Sequence, residues 1–110
     1  MSDQDRAAYH AAAAVASNHL VALLGQVERI ANGIGVPPRA YLDLARSTLD
    51  NVDRLGAGDA LTGPTARGDW ATVARHLAAL DGSEHDAYRA MAAAARRLVA
   101  NDGLPPDLLD

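Results

Sequence analysis

The chain has no cysteine, no lysine and no phenylalanine. Without cysteine there are no disulfides and no thiolate metal ligands, and the redox compartment is left open. Without lysine there is no Schiff-base chemistry and no lysine acid or base. All ten basic residues are arginine, a bias that a G- and C-rich genome produces with no functional cause. With no phenylalanine and one tryptophan, the core falls to Leu, Val, Ile and close alanine contacts. Net positive charge is missing as well. A balance of −4 argues against a general nucleic-acid binder, which needs a basic face to displace counterions. No unbroken run of about 18 apolar residues occurs, so no membrane span is expected. The opening MSDQDRAAYH has acidic residues and no basic n-region before an apolar core. It does not read as a secretory signal, and a cytoplasmic protein is expected.

What is present is alanine. At 110 residues with 49% apolar composition, the chain can bury one core. Alanine has the highest helix propensity, and runs of Val, Ile and Thr are few. The expected class is all-α: a bundle of about four main helices around a long N-terminal one.

That long helix is expected over residues 7–34, with Ser2, Asp3 or Asp5 as candidate caps. Val15, Leu20, Leu23, Leu24, Val27, Ile30 and Ile34 fall mostly at helical spacing. A second stripe, His10, Ala14, Ser17, Asn18, Val21 and Gly25, is small and polar. A helix greasy on one side and small-polar on another can carry a core and a site at once. Asn32-Gly33, with Gly35 behind, stops it. A helix over 38–55 follows, entered through Pro37-Pro38 and ended by Gly56. Residues 56–68 (GAGDALTGPTARG) read as one long irregular stretch, with room for a helical turn at 59–61. Asp69 caps a third helix over 69–81. Ser83 caps a fourth over 84–101, with Asp86 as an imperfect capping-box acid. The tail 102–110 is expected to be mobile or to dock on a neighbour.

Four histidines occur, at 10, 19, 76 and 85. None pairs at i, i+4, and no HExxH exists, so no metal site is expected. His76 and His85 read as partly exposed helix residues. His10 shares a side with Ser17 and Asn18, and its imidazole suits acid–base work near neutral pH; a solvent-facing first-turn histidine is the plainer reading. Asn18 sits mid-helix among alanines, where it costs helix stability. Its amide needs a partner if buried, whether protein, water or ligand. Thr62, Gly63 and Arg67, just before a helix N-terminus, suit an anion or carboxylate. The plainer alternative is a rigid turn with Arg67 paired to Asp59 or Asp69. No P-loop and no GxGxxG after a strand is present.

The run Tyr9-His10 through Ser17-Asn18 with Leu20, the segment from Gly35-Val36-Pro37 to Tyr41, the piece Ala60-Leu61-Thr62-Gly63-Pro64 and Arg67-Gly68-Asp69 together resemble one family. It is the helical domain called domain of unknown function 2520, and the resemblance covers about residues 8–98. Such domains usually follow a Rossmann-like NAD(P)-binding domain in bacterial proteins similar in plan to ketopantoate reductase, pyrroline-5-carboxylate reductase and 6-phosphogluconate dehydrogenase. The resemblance implies a fold like the C-terminal domain of the last of these. It also implies that the helical domain forms one wall of a substrate cleft, that NAD(P) belongs to the other wall, and that two helical domains associate.

In those relatives the long first helix carries a lysine and, one turn later, an asparagine. Asn18 matches the asparagine, but Ala14 stands where the lysine would be. The lysine relay does not carry over, and His10 is the candidate replacement. The implied site is His10 and Asn18 as catalytic groups, with Ser17, Thr62, Gly63 and Arg67 binding a small oxo acid. No Rossmann half is present, so the chain is expected to hold no cofactor and to need such a domain in cis or in trans. A homodimer without nucleic-acid or membrane partners is expected. The alternative is a stand-alone helical interaction module with no enzymatic role.

Overall fold

The computed structural model describes all of residues 1–110, and it is all-α with no strand. Six helices form: α1 (Asp3–Gly33), α2 (Arg39–Leu55), α3 (Ala57–Ala60), α4 (Pro64–Arg67), α5 (Trp70–Ala79) and α6 (His85–Arg97). Four of them are long, the number expected. The chain divides into two compact units, Met1–Leu44 and Ala45–Asp110, with the boundary inside α2.

The first unit is dominated by α1, 31 residues and about 46 Å long at 1.5 Å per residue. It starts four residues earlier than expected, because Ser2 caps it by accepting from the Asp5 N–H at 3.1 Å. Residues 15–19 (Val15–His19) form a π-helical segment in its middle. The helix closes at Gly33. The Ile34 and Val36 N–H groups both return to the Ala31 carbonyl, and Gly35 takes a φ of 73° to make that turn. Leu20, Leu23, Leu24, Val27 and Ile30 are half-buried, and Ala31 is the one fully buried residue of α1. Val15 and Ile34, expected on the core side, are exposed.

An 18-residue window of α1 reaches a mean hydropathy of 1.2, long and apolar enough to cross a membrane by length and composition. Counting only unbroken apolar runs hides this, because alanines lift the window average across His10, Ser17, Asn18 and His19. A span would set Ser17, Asn18 and His19 at mid-depth, where polar groups are most costly. The core helix of a soluble protein meets the same criterion but is mostly buried, whereas none of this window is.

The second unit holds the core. Val73, Leu77 and Leu108 pack together, with Trp70 and Tyr88 against them. Burying each of these aliphatic side chains contributes about 2 kcal/mol. The stretch at 56–68 is less irregular than expected, since α3 and α4 each supply one helical turn within it. Asp69 caps α5 as expected, accepting from the Thr72 N–H at 3.2 Å and the Thr72 hydroxyl at 2.7 Å. Ser83 does not cap the fourth long helix. Asp81 accepts from the Ser83 N–H at 3.0 Å and from its hydroxyl, starting a 3₁₀ turn at Gly82–Glu84 that leads into α6. A carboxylate accepts more strongly than a hydroxyl, and here it stands two residues earlier. The tail is docked within its own unit. Leu104 and Leu108 are buried, Pro106–Leu108 forms a 3₁₀ turn, and the Arg89 guanidinium donates to the Leu108 carbonyl at 3.0 Å.

Candidate functional site

The site residues named from the sequence fall in both units. His10, Ser17 and Asn18 lie on α1, and all three are exposed. Ser17 and Asn18 sit inside the π segment, a rare geometry that recurs at functional positions in helices. Eight residues of unbroken α-helix would leave Asn18 about 80° out of line with His10. The wider turns of the π segment reduce that offset, so the two side chains share a side. They remain two turns apart, about 12 Å along the axis. A proton transfer needs hydrogen-bond reach, so the two cannot act on one atom. His10 instead meets the neighbouring ring of Tyr9 edge to face at 5.9 Å between centroids.

Thr62, Gly63 and Arg67 belong to the second unit, where the plainer alternative holds. Thr62 is exposed, and Arg67 is exposed with its guanidinium 3.8 Å from Asp69. The Asp69 carboxyl is held below its ordinary pKa, chiefly by the Thr72 hydroxyl and N–H and further by Arg67. The best-ordered chemistry nearby joins α4 to α6. Arg96 donates through Nη1 to the Thr65 and Ala66 carbonyls, both at 3.1 Å. Through Nε and Nη2 it grips both carboxylate oxygens of Asp102, at 2.8 and 3.0 Å. Its guanidinium carbon lies 5.4 Å from the centroid of the Trp70 ring. The Arg96 side chain is 15% exposed. Those bonds keep the Asp102 carboxyl low and the Arg96 guanidinium high in pKa. Gly68, with a φ of 69°, makes the left-handed turn between α4 and α5 beside this group. Sequence reasoning missed Arg96, because Arg96 and Arg97 are indistinguishable by type, and only the helical phase separates the inward one.

His76 Nδ1 and the Tyr88 hydroxyl are 2.8 Å apart, and His85 Nε2 lies 3.1 Å from the Leu80 carbonyl. Burial raises the pKa of Tyr88. These contacts tie α5 to α6. Every buried side-chain polar atom has a hydrogen-bond partner, so this unit shows no unsatisfied group waiting for a ligand. No three His, Asp or Glu residues come together in a way that would hold a metal ion.

The usual dinucleotide cradle is a strand, a glycine-rich turn and a helix N-terminus; the chain has helices and no strand. What the geometry defines is an all-helical domain with a half-exposed long helix and a self-sufficient helical core. A family model described as a domain of unknown function (DUF2520) matches residues 1–95, and the chain belongs to that family. No curated protein and no solved structure matches it.

Proposed function

We propose that this chain is the substrate-binding and dimerisation domain of an NAD(P)-dependent oxidoreductase-like protein. It is not catalytic alone, and a Rossmann-like domain, in cis or in trans, holds the dinucleotide. Membership of the family and the resemblance to two-domain reductases support the reading. The observation that carries it is the π segment, which sets the Ser17 hydroxyl and the Asn18 amide on an exposed mid-helix surface. On this reading Asn18 orients the carbonyl of a small oxo acid, with Ser17 beside it. His10, two turns away, meets a different part of the substrate or cofactor and handles protons there. A cytoplasmic setting goes with it.

The test follows backbone amide shifts while a small oxo acid such as ketopantoate is added, with and without NADPH and a Rossmann-like partner chain. Shifts centred on Ser17 and Asn18 are expected. Asn18→Ala should weaken binding about tenfold, the usual cost of one good hydrogen bond to a ligand. Shifts absent from residues 10–18 under every condition would sink the reading.

A second reading, a helical interaction module without chemistry, is favoured by the exposure of α1. Under it, bulky substitutions at Ala14 disturb association and no small molecule binds.

A further inference from the structure

Gly25 is out of place in α1. Glycine in a helix interior costs about 1 kcal/mol relative to alanine. Nothing in the chain itself requires it. Its φ is not positive, and a Cβ built there would meet only the Arg29 guanidinium at 3.7 Å, an ordinary contact. Only the flexible end of Arg29 lies over this point of the helix, so a side chain from outside can approach the Gly25 backbone by displacing it.

Gly25 belongs to a row along α1. Arg6, Tyr9, Ala13, Ser17, Val21, Gly25 and Glu28 follow one another at steps of three or four. Four consecutive four-residue steps, from Tyr9 to Gly25, would carry the row about 160° round an unbroken α-helix. The π segment lies in the middle of that span, and its wider turns absorb much of the drift. The result is a straighter face than an unbroken α-helix would give. It is open except at Gly25, which is half-buried: Tyr9 is 65% and Val21 67% exposed, and Arg6, Ala13, Ser17 and Glu28 are exposed as well.

The face complements itself when reversed. Set a second copy antiparallel about Ser17, and each residue meets the one whose number sums with its own to 34. Arg6 then meets Glu28, Tyr9 meets Gly25, Ala13 meets Val21, and Ser17 meets its twin. Charge is answered by opposite charge, and the largest side chain by none. Arg6 also bonds Asp3 in its own helix, but a guanidinium has five donors, so one carboxylate does not exhaust it. A parallel pair would set Arg6 on Arg6, Glu28 on Glu28 and Tyr9 on Tyr9. From Ala7 to Val27 no Asp, Glu or Arg interrupts the face.

We propose that this face of α1 docks on the same face of a second copy of this chain, antiparallel, with the two-fold axis at Ser17. The idea rests on the reading above that the domain dimerises, and it supplies the surface and the register. Two helices of about 46 Å in contact along their length bury on the order of 1,000 Å², the lower bound for a specific interface. A dimer that dissociates in the micromolar range is expected. Asn18 adjoins the axis, so the two copies bring their polar stripes close together.

Because the chain lacks cysteine, single cysteines report the register directly. Ser17→Cys is expected to link two chains under mild oxidation into a species of twice the 11.5 kDa mass. Ala11→Cys, on a different side of the helix, is expected to stay unlinked. In sedimentation of the full chain, Glu28→Arg should weaken the dimer about tenfold, and adding Arg6→Glu should restore it to within about threefold. Helical circular dichroism confirms that each variant is folded. A monomer at 100 µM, linkage at Ala11→Cys but not at Ser17→Cys, or an α1 protected only by lipid or by a different chain would each overturn the proposal. Ligand shifts at Ser17 and Asn18 in a strictly monomeric protein would overturn it while leaving the substrate-binding reading intact.

Discussion

The two units hold themselves together by opposite means. Residues 45–110 bury Val73, Leu77 and Leu108 at a common centre and tie it with a guanidinium that bonds two carbonyls and a carboxylate. In α1 a single alanine is buried along 31 residues, and from Asp3 to His19 no side chain is. Most helical stability in proteins comes from packing of an amphipathic face rather than from propensity. The second unit has that packing, whereas the N-terminal half of α1 relies on alanine propensity, on the Ser2 cap and on whatever covers it. The lesson is that a helix so rich in the best helix former can be written out in full by its sequence and still have its partner elsewhere.

Substitutions in the core should show the contrast most strongly. Leu77→Ala is expected to lose about 3 kcal/mol of unfolding free energy, from the usual range for a leucine cavity. Val15→Ala, at a residue 55% exposed, should change it by less than about 0.5 kcal/mol and raise helicity slightly. Urea unfolding of both variants decides it. Comparable losses would mean that α1 is packed as tightly as the core.

Next in size is Arg96→Lys. Lysine keeps the charge but lacks the planar fork that reaches Asp102, Thr65 and Ala66 together. A Tm lower by roughly 5–10 °C is expected, with α4 and the 102–110 tail losing hydrogen-exchange protection first. Arg97→Lys, at an exposed neighbour, should leave both unchanged.

Much of this contrast was legible in the sequence and some was not. Alanine content and the scarcity of β-branched runs announce the helices, and Asp69 announces the start of α5. The stops behind α1 and α2 follow from glycine's freedom at positive φ, at Gly35 and Gly56. The docking of the tail is not legible because Leu104 and Leu108 are separated by Pro105 and Pro106, which break any helical phase, and docking of such a segment is a tertiary fact. In the stretch at 56–68 the turn expected at 59–61 overlaps α3, but α4 is not legible because a one-turn helix leaves no periodicity to count. Of the site, sequence spacing put His10, Ser17 and Asn18 on one helix, and they are there. The π segment has no sequence code, so spacing alone puts His10 on one side with Asn18 without the geometry that brings them there, and the row through Ser17 is not legible.

Acid separates the units by a smaller effect. The carboxyls of Asp69, Asp81 and Asp102 are all held below their ordinary value by hydrogen bonds to Thr72, Ser83 and Arg96. A carboxyl with a lower pKa folded than unfolded stabilises the fold above its unfolded value of about 4. That contribution is lost as pH falls through the folded value. The Tm of the second unit should therefore drop steadily below pH 4. Asp102→Asn should lower the Tm at pH 7 and flatten the acid slope; an unchanged slope would mean that the Arg96 clasp is absent in solution.

Asn18→Ala should produce the smallest change in stability and the most informative one. Asparagine is a poorer helix former than alanine by a few tenths of a kcal/mol, and Asn18 is exposed, so the variant should be equally or slightly more stable. If the π segment exists to serve the Asn18 amide, backbone couplings or exchange rates at Val15–His19 should relax toward α-helix in the variant, and any oxo-acid binding should fall with it. If instead the segment keeps Ala13, Ser17 and Val21 in one row for a second copy, Asn18→Ala should keep both the π turn and the dimer. Bulk at Gly25 should then split the dimer without touching ligand shifts. A substitution that barely alters stability thus distinguishes a helix bent for a ligand from one bent for its own reflection.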